Sequence, residues 1–118
     1  MEPTQLSMKV RNLNSKVSIV DIEGEITSAA ENILMDAYTQ ATSAGAHDIL
    51  LNFTNLEYMN SSGIGLLVTL LIRINRQKQR LSVFGLSEHY RQIFELTRLD
   101  EAINIYPDET EALAVLVK

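Results

Sequence analysis

The chain has 118 residues, with 10 basic and 15 acidic side chains and a formal charge of −5, enough for one compact domain with a real hydrophobic core. It has no cysteine and only two histidines, His47 and His89, which excludes disulfides, thiolate catalysis and zinc–thiolate sites and leaves too few ligands for most histidine-built metal cages. The 46% apolar and 21% charged composition is too apolar for a disordered chain, and the acidic balance argues against indiscriminate nucleic-acid binding.

In chain order, Leu6, Met8 and Val10 alternate with polar neighbours, as do Val17, Ile19 and Ile22 after an Asn14-Ser15 turn. This predicts a hairpin ending at Gly24. Ile33, Leu34, Ala37, Tyr38 and Ala41 recur at helical spacing and are closed by Gly45 as a C-cap. Asp48–Phe53 is a short apolar run suited to a strand buried on both faces, followed by a polar loop. A second helix is expected from about Ser62 to Gln79. Then come a strand Leu81–Phe84, a helix opened by Ser87, a strand Ile103–Tyr106 and a last helix capped by Asp108. Strands alternating with helices imply an α/β domain, one mixed sheet with helices packed on it, spanning 1–118 as a single unit with an ordered core over about 6–116.

The first twenty residues lack an apolar leader segment and a small-residue cleavage site. The longest apolar run, Ile64–Ile72, falls far short of the ~20 residues that cross a bilayer. No membrane insertion and a cytoplasmic location are therefore expected, and the sequon matches at Asn52 and Asn60 are read as chance.

Charge is unevenly spread. Residues 1–57 carry eight acids and three bases, residues 58–72 carry no charge, residues 73–80 hold four bases, and residues 100–111 hold five acids. An uncharged tract followed by a basic block is a place for partner recognition, or else a buried helix with a solvated tail. On the second helix, Ile64, Leu67, Val68, Leu71 and Ile74 are expected to face the sheet. Ser62, Gly65, Thr69, Arg73 and Arg76 lie opposite, bordered by Leu66, Leu70 and Ile72. Small residues edged by aliphatic ones suit close approach by another protein. Ser61 falls at the helix entrance, among unpaired N–H groups and the positive end of the dipole. Spacing leaves two roles open: Ser61 or Ser62 as a simple N-cap, or Ser61 as the bearer of a phosphate.

Gly24-Glu25-Ile26, the strand Ile49–Phe53, the run Tyr58-Met59-Asn60-Ser61-Ser62-Gly63-Ile64-Gly65 and the tail Gly85–Leu99 together resemble the bacterial anti-sigma factor antagonists of the STAS domain family. The resemblance runs from about Leu6 to Leu116. It implies a STAS-like domain, a mixed sheet of about five strands with four or five helices packed mainly on one side. It also implies a non-enzymatic switch without cofactor or metal, in which the first serine of the pair, here Ser61, is phosphorylated by a serine kinase that is also an anti-sigma factor. The unmodified form binds this partner and frees the sigma factor, so that transcription is regulated, and a PP2C-type phosphatase resets the switch. The expected partner-binding surface comprises Thr27, Asn60, Ser62, Gly63, Gly65, Leu66, Thr69 and Arg73; a weak homo-oligomer is left open. Many relatives have Asp where this chain has Asn60 and Thr27. Both departures remove a carboxylate from the neighbourhood of the acceptor, so a phosphate there meets less repulsion.

Other readings carry less. Gly63-Ile64-Gly65 lacks the third glycine of a dinucleotide fingerprint, since Val68 takes its place. No P-loop and no G-x-S-x-G elbow is present. Glu23 and Glu25 have no partner histidine and are read as solvated or structural. The block Arg73-Arg76-Lys78-Arg80 lacks interleaved aromatics, which disfavours nucleic acid; an acidic protein surface or helix-dipole complementation explains it as well. The alternatives to the switch are a STAS scaffold subunit of a larger signalling or transporter-associated assembly, with Ser61 only a cap, and a small-molecule or nucleotide sensor using the same helix entrance.

Overall fold

The computed structural model describes residues 6–117. Five strands form one sheet in the order β1-β2-β3-β4-β5: β1 (Ser7–Asn12), β2 (Val17–Ile26), β3 (Asp48–Met59), β4 (Arg80–Phe84) and β5 (Asn104–Tyr106). Only β1 runs antiparallel, hairpinned to β2 through a turn in which the Asn14 side chain accepts from the Lys16 and Val17 N–H groups. The other pairs are parallel and joined by α1 (Glu31–Ser43), α2 (Ser61–Arg76) and α3 (Glu88–Leu96), while α4 (Glu109–Leu116) follows β5. Each crossover leads to the next strand in the same direction. Right-handed crossovers of that kind put all three connecting helices on one face.

The core divides accordingly. On the α1–α3 face, Val20, Ile22, Ile49, Leu51, Phe53, Leu81 and Val83 pack with Leu34, Leu67, Leu70, Ile74 and Phe94. On the other face, α4 alone covers Val17, Ile19, Leu50 and Phe84 through Ala112 and Leu116. The expected mixed sheet, with helices mainly on one side, is the observed one. Beside the small α4 core, Arg11 on β1 binds the Asp21 carboxylate of β2 at 2.6 and 2.9 Å and reaches Glu109 of α4 at 2.6 Å, while Asn52 donates to Asp21 at 2.8 Å. Burial works to raise the Asp21 carboxyl, but the hydrogen bonds from Arg11 and Asn52 outweigh it and hold the group below its ordinary value.

Three elements differ most in extent from the sequence reading. β2 does not end at Gly24 but continues to Ile26 through an irregularity at Gly24, whose φ is +108°. β3 does not give way to a loop after Phe53. Residues 54–59 stay extended because they pair with the end of β2, Asn55 with Glu23 and Met59 with Ile26. This ribbon projects beyond β4, so Thr54, Asn55, Glu57 and Tyr58 are exposed, while Leu56 is half-buried and Met59 returns to the core. Finally, α2 begins one residue earlier and stops at Arg76; Gln79 is outside it, donating to Ala46 carbonyl and Thr42 and accepting from the Tyr38 hydroxyl.

Candidate functional site

Parallel pairing of β2 with β3 brings the C-terminal ends of both strands to the same edge, Ile26 beside Met59. The segments that follow, Thr27 and Asn60-Ser61, therefore emerge side by side, where α/β sheets place their sites. Asn60 N–H donates to the Ile26 carbonyl at 3.3 Å and locks the two turns together. Thr27 opens a 3-10 turn, Ser28–Ala30, its hydroxyl accepting from Ala29 N–H at 3.3 Å. From below, the Tyr90 hydroxyl of α3 accepts from the buried Met59 N–H at 2.8 Å.

The cap of α2 is Asn60, not Ser61 or Ser62. Its φ of −91° and ψ of −177° are extended, and its side-chain oxygen accepts from Gly63 N–H at 2.9 Å. Ser61 is the first residue of the helix and is exposed, and its hydroxyl takes part in no hydrogen bond among the described residues. Ser62 is exposed beside it. The N–H groups of this first turn, with Gly63 N–H taken by Asn60, leave those of Ser61 and Ser62 open at the positive end of a 16-residue helix.

The two glycines of the motif have opposite surroundings. A Cβ on Gly63 would collide with the Ile26 carbonyl and stand 2.7 Å from Met59 Cγ, so only glycine lets the helix lie flush on the end of β2. Gly65 faces open space. That close approach also sets the roll of α2, which buries Gly63, Leu66, Leu67, Leu70, Leu71 and Ile74. Here the expected faces need correcting. Leu66 and Leu70 belong to the core rather than bordering the outer face, and Val68, expected against the sheet, is 38% exposed. Of the expected partner surface, Gly63 and Leu66 are thus buried, Thr27 and Asn60 are partly exposed, and Ser62, Gly65, Thr69 and Arg73 are exposed. Periodicity could not find this roll, because Ile64 to Ile74 fit two adjacent stripes equally; the signal was the glycine at 63. The outward stripe reads Ser61, Gly65, Val68, Thr69, Ile72 and Arg73, with Ile72 48% exposed. Thr69 hydroxyl turns back to the Gly65 carbonyl at 3.1 Å, which flattens the surface between them.

The STAS domain model matches residues 8–112. This chain belongs to the STAS domain family. Among the relatives of this STAS domain, the anti-sigma-B factor antagonist of Staphylococcus aureus (strain NCTC 8325 / PS 47) is 30% identical over 86 residues, 73% of this chain and 80% of that protein. That of Staphylococcus epidermidis is 29% identical over the same shares. Solved structures share the fold. An anti-sigma factor antagonist from Mycobacterium paratuberculosis superposes with a TM-score of 0.81 at 20% identity, covering 97% of this chain and 96% of that one. The anti-sigma factor antagonist SpoIIAA in its unphosphorylated form gives 0.73 at 18% identity, over 94% and 97%. Among the described residues of this STAS domain, no helix is long and apolar enough to cross a membrane, and no three His, Asp or Glu side chains gather as a metal cage would require.

Proposed function

We propose that this STAS domain is a phosphorylation-switched anti-sigma factor antagonist, with Ser61 the phosphoacceptor and a serine kinase that doubles as anti-sigma factor the partner. The observation that carries the reading is that Asn60 already fills the cap, which leaves the Ser61 hydroxyl exposed and uncommitted at a helix entrance. A serine kept only for capping would be holding an N–H of its own helix. The names of the relatives support the same reading, as does a neighbour of the same fold, the Bacillus cell fate determinant SpoIIAA, solved in a phosphorylated form with a TM-score of 0.70.

In this mechanism the unmodified partner surface is Thr27, Asn60, Ser62 and the outward stripe of α2 through Gly65 and Thr69 to Arg73. It is uncharged until Arg73, so docking desolvates little charge near Ser61. A phosphate brings roughly −1.5 to −2 charges and three acceptor oxygens. Open first-turn N–H groups and the helix dipole hold it on the free protein, so modification need not distort the fold. At the interface it becomes a charge that has to be desolvated without a partner, and affinity falls. A PP2C-type phosphatase would restore the docking form. The domain acts in the cytoplasm and does no chemistry of its own.

Ser61→Ala should bind the kinase constitutively and Ser61→Asp weakly. A difference of ~3 kcal/mol, the size of an unpaired interfacial charge, corresponds to roughly a hundredfold in Kd. Equal affinities of the two variants by titration calorimetry would refute the switch.

A further inference from the structure

A groove of about 470 Å³ runs between the C-terminal halves of α1 and α2, at the end of the domain remote from Ser61, lined by Tyr38, Thr42, Arg73, Arg76 and Gln77. We propose that it binds a phosphorylated small molecule, with Arg73 and Arg76 as the oxyanion clamp. This goes beyond the switch and stands without it, since none of its argument involves Ser61.

The groove has the volume of a metabolite site, and its floor is built in advance. Gln79 donates to Thr42 Oγ1 and, at 2.8 Å, to the Ala46 carbonyl, and accepts from the Tyr38 hydroxyl at 2.7 Å. Because Thr42 Oγ1 accepts from Gln79, its own proton is free to be donated into the groove. Tyr38 is buried, so its ring and hydroxyl are fixed by packing. Over this floor stand two guanidinium groups three residues apart on one helix. Arg11 and Arg80 are neutralised by carboxylates, but among the described residues no carboxylate lies within ion-pair distance of Arg73 or Arg76.

Both helices end here, and a helix C-terminus carries about half a negative charge, which opposes an anion. Two full cations outweigh two such halves. The carbonyls concerned are also occupied: Arg73, Ile74 and Asn75 accept from Gln77, Gln79 and Lys78, and Thr42 accepts from Gly45. The net field in the groove is therefore positive. Arginine forks match oxyanions in two-point contacts. A phosphate has enough terminal oxygens for two forks and a hydroxyl together, whereas a single carboxylate has two and cannot serve all three. The chemistry thus favours a phosphate group, with the remainder of the molecule lying along Gln77 and out of the open end.

The probe is pyrophosphate, titrated into the intact protein by calorimetry at about 0.15 M salt, where diffuse attraction is screened. Saturable one-to-one binding is expected, with succinate weaker. Arg73→Gln and Arg76→Gln should each weaken it about tenfold or more, the size of one lost charge-assisted contact. Arg76→Lys, which keeps charge but not the fork, should lose affinity severalfold, and Arg91→Gln on α3 should bind as the native protein does. The three side chains replaced, Arg73, Arg76 and Arg91, are exposed, so all four variants should fold, which circular dichroism checks. No saturable binding, succinate as tight as pyrophosphate, full affinity in Arg76→Lys, or an equal loss in Arg91→Gln would each overturn the site.

Discussion

Replacing the two glycines of Gly63-Ile64-Gly65 one at a time with alanine should change stability in opposite directions. At Gly63 the added methyl would meet a backbone carbonyl, that of Ile26, and Met59 Cγ at 2.7 Å. Met59 can turn aside, but the carbonyl belongs to the strand pair and accepts from Asn60 N–H. Relief therefore requires the helix itself to lift. Overpacking of this kind costs ~3 kcal/mol at the upper end of its range, and better helix propensity offsets at most ~1, leaving a loss of ~2. At Gly65 nothing lies within contact of a Cβ, so Gly65→Ala gains the propensity term alone, ~0.5–1 kcal/mol. For a domain of this size the two variants should melt on either side of the native protein, ~8 °C below and ~3 °C above. Urea unfolding followed at 222 nm gives both free energies. The same methyl at position 65 stands on the outward stripe four residues from Ser61, so Gly65→Ala should also weaken docking of the kinase while it stabilises the fold. Shifts of the same sign at 63 and 65 would refute the account of how α2 is seated.

Other expectations follow from single contacts. Asn60→Ala should cost ~1 kcal/mol through loss of the cap, whereas Asn60→Asp keeps the cap yet sets a carboxylate beside the acceptor; with the same kinase its phosphoryl occupancy should be lower than in the native protein, and a higher one contradicts the electrostatic argument. Tyr90→Phe removes the acceptor of the buried Met59 N–H and should cost ~1–3 kcal/mol in the same urea assay; an unchanged midpoint would mean that the strand end is held by something else. The Asp21 carboxyl is held low in the folded state, so the stability it contributes is fully present above its unfolded pKa of about 4 and is lost as pH falls through the folded value. Stability measured from pH 6 downward should therefore fall less steeply in Asp21→Asn than in the native protein, and parallel curves would assign the acid sensitivity elsewhere.

The order of elements was legible in the chain because each has a local cause. Ser87 and Asp108 cap α3 and α4 as expected, accepting from Tyr90 and Glu111 N–H, and Ile49–Leu51 is buried on both faces as its unbroken apolar run requires. Ser61 was legible too, as a hydroxyl at a helix entrance, and so was the outward position of Gly65, Thr69 and Arg73. The two short 3-10 turns, Ser28–Ala30 and Leu99–Glu101, were not anticipated.

What the chain alone determined is what neighbouring residues decide between them: periodicity, caps, turns, and the composition of each face. Tertiary structure decided the rest. Residues 54–59 are a strand only because the end of β2 lies alongside to pair with them. Asn60 rather than a serine caps α2 because its own N–H is tied to the Ile26 carbonyl, and Leu66 is core while Val68 is surface because Gly63 sits flush on that same carbonyl. The Arg73–Arg76 groove is likewise a product of helix meeting helix, with Thr42 and Gln79 joined across 37 residues of chain. A hydrogen bond or a packing contact between distant segments leaves no local pattern in either one, so it becomes readable only when the sheet has brought them together.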